Sequence, residues 1–135
     1  FKFVVMKHTL GKLERLKSKK LIEKLYQDGN SVKLFPLRMM YLQTAHTSDF
    51  PAQVGVSVAK RNFKLAVDRN RIKRLMREAY RLQKEIVYDQ LEDPYVFMIS
   101  YLGKEEVPYQ EVYSKMKILL TLFVKETKSK KNETL

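Results

Sequence analysis

The apolar positions of this chain change period along its length, and each change marks an element. Leu21, Ile22, Leu25 and Tyr26 recur at i, i+1, i+4 and i+5. That spacing predicts a helix over 16–27, with Ser18 as its cap and Gly29 as its stop. Between 32 and 43 the period drops to two, and Leu37, Met39 and Tyr41 alternate with Arg38, Met40 and Leu42. Pro36 confines the start of that strand to an edge and leaves room for a separate short strand over 32–34. After a polar loop, 53–60 alternates again, with Val54, Val56 and Val58 on one face and Gly55, Ser57 and Ala59 on the other. A row of small residues either lies beneath a helix or leaves room for a ligand. Helical spacing returns in Ile72, Leu75, Met76, Ala79, Leu82 and Ile86, and predicts a helix to about 84 with Asp68 as its N-cap.

An acidic loop over 88–94 follows. Residues 95–101, YVFMISY, are nearly apolar throughout, as a central strand requires. Pro108 suits the first turn of a last helix over 109–128, whose stripe is Val112, Met116, Leu119, Leu120, Phe123 and Val124. The order is α-β-β-(β)-α-β-α, the bracketed strand being the short one near 32–34. This predicts an α/β (α+β) two-layer sandwich, a small mixed sheet with helices on one side. The chain length suits one domain. We expect it over 13–127, after a flexible segment 1–12 and before a charged, frayed tail 128–135.

Composition narrows the function. There is no cysteine, hence no disulfide framework and no cysteine-based zinc site. The apolar run at 1–5 is too short for a signal peptide and no stretch reaches transmembrane length, so the expectation is a cytoplasmic protein without a membrane partner. His8 and His46 stand apart from any motif-like acid or nucleophile, and the four glycines are isolated. No catalytic constellation, metal site or phosphate-cradling loop is evident.

Charge is the strongest signal. The chain carries a net charge of +12, unevenly spread. Residues 60–84 hold ten Lys and Arg against Asp68 and Glu78, whereas 85–113 hold seven acids against one Lys. At about 100° per residue, Lys73, Arg74, Arg77, Arg81 and Lys84 fall opposite the apolar stripe, with Arg69 and Arg71 at its flanks. A merely solvated helix mixes its signs and pairs them at i,i+4. Here Glu78 is the one acid between Arg69 and Lys84. Arginine forks match phosphates bidentately, so this face is built for a polyanion. A helix-turn-helix reading needs a helix just before the basic one, but 54–60 reads as a strand. A membrane-surface helix wants a deeper apolar face.

The run VDRNRIKRLMREA, residues 67–79, resembles the Arg-Asn-Arg motif of the bacterial ribonuclease P protein subunit. Support comes from VGVSVAKR at 54–61, from IEKLYQDGNS at 22–31 and from PYQEV at 108–112. The likeness covers about 13–125. It implies a fold with a left-handed β-α-β crossover. It implies a protein that assists a catalytic RNA in removing the 5′ leader of precursor tRNA, an endoribonuclease whose catalytic groups and Mg²⁺ belong to the RNA. The partners implied are that RNA and the leader, with no obligate protein partner and no cofactor of the chain's own. By resemblance, Lys60, Arg61, Lys64, Arg69, Asn70, Arg71, Lys73, Arg74, Arg77 and Arg81 face RNA. Ile22, Tyr26, Met39, Tyr41, Ser57 and Tyr109 map to a leader cleft between the first helix and the sheet. The chain departs from the family pattern at 62–65, where Asn-Phe-Lys-Leu replaces a usual glycine, at Asp68, often basic in the family, and at Ile22, often aromatic. A ribosomal or other structured-RNA binding protein without a processing role is the alternative.

Overall fold

A computed structural model describes residues 9–46 and 48–133. A 3₁₀ turn at Lys12–Glu14 leads to α1 (Lys19–Asp28), β1 (Asn30–Leu34), β2 (Leu37–Gln43), β3 (Ala52–Val58), α2 (Ala66–Gln83), α3 (Glu85–Tyr88), β4 (Tyr95–Tyr101) and α4 (Tyr109–Glu133). The sheet order is β1-β2-β4-β3. β1 and β2 form an antiparallel hairpin around the cis Phe35–Pro36 bond, so the short first strand exists. The chain leaves β3, passes through α2 and α3, and returns as β4, which lies parallel to β3 and antiparallel to β2. The apolar run 95–101 is thus central, as its composition requires.

Strand alternation divides the side chains between two cores. One face of the sheet carries Leu37, Met39, Tyr41, Val54, Val58, Phe97, Ile99 and Tyr101, packed under α2, α3 and α4. Phe123 of α4 is its keystone, edge-on to Tyr41, Phe97 and Tyr95 at centroid separations of 4.9, 5.0 and 5.3 Å. Removing such a ring costs about 3–5 kcal/mol. The other face carries Met40, Val96 and Met98, covered by Leu25, Ile22 and Leu21 of α1 and by Leu16. Helices therefore lie on both faces of the mixed sheet rather than on one. The second layer arises because Met40 and Leu42 of β2 and Val96 and Met98 of β4, on the opposite parity, are also apolar.

At the N-terminal edge, Lys84 Nζ donates to the Thr9 carbonyl, and Leu10 packs on the larger core. The expectation for 1–8 lies outside the described residues. Leu16 is not helical; its N–H donates to the Val54 carbonyl at 2.9 Å, and Arg15 forms a parallel bridge with Val54. Ser18 does cap α1, accepting from the Leu21 N–H at 3.3 Å. Gly29 ends it for want of space: a Cβ there would sit 2.4 Å from the Leu25 carbonyl oxygen. The charged tail is helical to Glu133, because α4 runs on past its apolar stripe.

Candidate nucleic-acid interface

α2 is amphipathic as its spacing predicts. Ile72, Met76, Ala79 and Tyr80 are buried, and Arg74 stands exposed. The helix begins at Ala66 with Leu65 at the N-cap position, not at Asp68. Asp68 sits within the first turn, where its charge still suits the positive helix end. Lys84 is a clearer departure. It is 1% exposed and ion-paired to Glu14 Oε2 at 2.5 Å, so it leaves the basic face altogether. The Tyr88 hydroxyl donates to the same oxygen at 2.6 Å. A helical wheel cannot anticipate this, because α2 ends at Gln83 and the chain turns into α3 there.

The arginines of the ridge are held in two ways. Near the start, Arg69 Nη1 donates to the carbonyls of Phe63 and Lys64 at 2.7 and 2.9 Å, which ties the connector 62–65 to the helix. That connector is the stretch where the family's usual glycine is replaced. Arg71 binds Glu106 bidentately, Nε to Oε1 at 2.9 Å and Nη2 to Oε2 at 2.6 Å. Its Nη2 also meets Asp68 Oδ1 at 2.7 Å. These acceptors raise the Arg71 pKa, the Glu106 hydrogen bonds foremost, and the Arg71 hydrogen bond in turn lowers that of Glu106.

Farther along, the pattern changes. Arg74, Arg77 and Arg15 have no carboxylate within 4 Å among the described residues. They share the lining of a cavity of about 450 Å³ with Leu10, Asn70, Glu78 and Arg81. Arg81 is paired with Glu78 through Nε to Oε2 at 3.2 Å and through a second, shorter contact. The Arg77 pKa is lowered, first by burial and then by the charge of Arg15. Two like charges held together without a counter-ion are an arrangement that an incoming anion relieves. Arg15 was missed in the sequence. No local signal marks it: Leu13-Glu14-Arg15-Leu16 has no apolar alternation, and the burial of Glu14 and Leu16 that leaves Arg15 exposed is a property of the fold. Lys60, Arg61 and Lys64 are exposed in the connector, and Arg61 lines a second cavity, of about 510 Å³, with Asn62, Leu102 and Lys104. Lys73 is half-buried on α2.

The six cleft residues do not come together. Met39 and Tyr41 are buried on the α4 face of the sheet, opposite α1, and so cannot line a groove beside α1. Tyr109 packs on that same side, with its ring 6.1 Å from that of Tyr113. Ile22, Tyr26 and Ser57 remain on the α1 side. Ile22 is half-buried against the small core there, and Tyr26 is 53% exposed. The small-residue row of β3 is partly filled: a Cβ on Gly55 would meet Met98 Cε at 2.9 Å. One row farther, the floor turns polar. Arg38, Ser100 and Ser57 align across β2, β4 and β3, half-exposed, with the two serine hydroxyls 2.7 Å apart. Arg38 and Ser100 belong to this floor and were not picked out from the sequence.

The model of the Ribonuclease P family matches residues 10–123. The chain belongs to the ribonuclease P protein family. It is 40% identical to the ribonuclease P protein component of Porphyromonas gingivalis over 89 residues, 65% of this chain and 64% of that relative. The chain thus spans slightly less than two thirds of the length of that relative. To the component from Syntrophus aciditrophicus it is 32% identical over 115 residues, 85% of this chain and 91% of that one. Among solved structures, the ribonuclease P protein of Staphylococcus aureus superposes with a TM-score of 0.65 at 20% identity, covering 81% of this chain and 94% of that one. That of Thermotoga maritima gives 0.64 at 21% identity, over 80% and 96%. At such identities the likeness speaks for the ribonuclease P protein fold. No helix among the described residues is long and apolar enough to cross a membrane.

Proposed function

We propose that this chain is the RNA-binding protein subunit of ribonuclease P. It binds the catalytic RNA and the 5′ leader of precursor tRNA, and so assists endonucleolytic removal of the leader. The observation that carries the reading is the cavity that Arg74 and Arg77 of the Arg-Asn-Arg helix share with Arg15 of the N-terminal segment, three guanidinium groups with no carboxylate within 4 Å among the described residues. Guanidinium forks in a concave site match phosphate oxygens, and releasing condensed counter-ions from RNA drives the association. This reading leaves the Mg²⁺ of the reaction to the RNA.

The leader is assigned to the α1 side of the sheet. Its floor is the row Arg38, Ser100 and Ser57, with Ile22 and the exposed Tyr26 on the helix beside it. Single-stranded RNA is gripped by basic grooves and stacking rings, largely without base readout. The test is cleavage of precursor tRNA by a bacterial ribonuclease P RNA at low Mg²⁺, with and without this protein. Stimulation of cleavage is expected. RNA binding without stimulation would instead favour a structured-RNA binding protein with no processing role.

A further inference from the structure

Arg71 belongs to the Arg-Asn-Arg run, yet its guanidinium is already occupied. Glu106 takes Nε and Nη2 in a two-point fork, and Asp68 takes Nη2 as well. Two carboxylates on one guanidinium leave this corner of the ridge with a net charge of −1, beside a cavity whose Arg74 and Arg77 are bare. The two acids come from different elements: Asp68 from the first turn of α2, Glu106 from the loop between β4 and α4. Glu106 Oε1 and Oε2 stand where two phosphate oxygens would stand, since a bidentate carboxylate and a bidentate phosphate satisfy the same fork.

We propose that Glu106, assisted by Asp68, is an intramolecular stand-in for an RNA phosphate and sets the affinity of the RNA interface by competing for Arg71. This rests on the RNA-binding reading above. The bare arginines meet RNA first. Arg71 joins only when a phosphate replaces the Glu106 carboxylate and the 102–108 loop swings off the helix. The Arg71–Glu106 fork is half-exposed, with side-chain exposures of 48% and 35%, so water can take over the released carboxylate. Exposed pairs of this kind are worth little in themselves, which makes the exchange feasible.

The experiment measures Kd and its salt dependence for a transcribed bacterial ribonuclease P RNA, using wild type, Glu106→Gln, Arg71→Ala and the double variant. Glu106→Gln is expected to bind several-fold tighter, with the log–log salt slope steeper by roughly 0.7–0.9 for the one phosphate gained. Arg71→Ala alone should change little, and in the Glu106→Gln background it should abolish the gain. Asp68→Asn should act in the same direction, more weakly. If Glu106→Gln binds more weakly, Glu106 positions Arg71 rather than competes for it, and the proposal is overturned. Unchanged affinity and slope overturn it equally. Both outcomes leave the RNA-binding reading standing, provided that wild type binds and Arg74→Ala/Arg77→Ala binds more weakly. That reading itself fails if wild type shows no affinity for the RNA.

Discussion

The start and the middle of the basic ridge on α2 carry the same residue type in opposite electrostatic states. At the start, Arg69 is spent on the carbonyls of the connector and Arg71 on Asp68 and Glu106. In the middle, Arg74 and Arg77 share a cavity with Arg15 and have no carboxylate within 4 Å among the described residues. Counting arginines along a helix thus overstates the charge that RNA meets. A guanidinium satisfied by carboxylates offers an approaching phosphate only an exchange, whereas an unsatisfied one offers a gain. The difference has a structural origin. The start of α2 carries Asp68 and abuts the loop that carries Glu106, and its middle abuts the N-terminal segment, whose exposed residue there is Arg15.

The largest expected effect comes from dismantling the anchor that holds Arg15 in place. Glu14 and Lys84 are an ion pair with both side chains at most 2% exposed, completed by the Tyr88 hydroxyl. Removing one partner leaves the other charged, buried and unpaired, which costs about 3–5 kcal/mol. Lys84→Met should therefore lower the melting temperature by on the order of 10 °C. Glu14→Gln with Lys84→Met should recover most of the loss, because both charges are then gone. If Lys84→Met melts like wild type, the pair does not hold the segment, and the bare end of the ridge loses its explanation.

Next in size is the contrast itself. Arg74→Ala/Arg77→Ala should weaken binding to ribonuclease P RNA by tenfold or more, with unchanged circular dichroism. The log–log salt slope, about −4 to −7 for six to eight neutralised phosphates, should become shallower by roughly 1.5–2. Arg71→Ala should do much less. Equal losses from the start and the middle of the helix would mean that the internal carboxylates are displaced at no cost, and the comparison would collapse.

A third test concerns the other side of the sheet. Tyr26→Ala removes an exposed ring from α1, the helix on the sheet face that carries Arg38, Ser100 and Ser57. A base stacked on an aromatic is worth about 1–3 kcal/mol by alanine substitution. Binding of precursor tRNA should fall several-fold, while mature tRNA, lacking a leader, should bind as before. Equal losses on both substrates would remove Tyr26 from the leader site.

The elements and the apolar stripes were legible because each is a local period: the α4 stripe, the alternation of β3 and the apolar β4 all lie where their spacing puts them. What was not legible depends on pairing between distant segments. Lys84 reads as one more ridge cation until Glu14, seventy positions away, is seen beside it. Met39 and Tyr41 read as cleft residues until the alternation of β2 is tied to α4 rather than α1. Glu106 is one of seven acids in 85–113 until its loop is found against α2. Strand parity shows that Met39 and Tyr41 share a face. Only the fold shows which helix covers that face.

The smallest effect is the most direct probe of the neutralised end. Arg71 depresses the pKa of Glu106, chiefly through its hydrogen bonds, so the ionised form is favoured in the folded chain. The sign follows from linkage: the contribution is fully present above the unfolded glutamate value of about 4.3 and is lost as pH falls through the depressed folded value. Glu78 is depressed in the same direction by Arg81 and loses its share in the same acid window. Wild type should then melt slightly above Glu106→Gln at pH 7. The gap should close under acid, once Glu106 is protonated, while Glu78 affects both proteins alike. Because the fork is half-exposed, added salt should narrow the gap at pH 7 as well. A gap that persists at low pH would assign the difference to the packing of the 102–108 loop, not to the ion pair that distinguishes this end of the helix from the bare one.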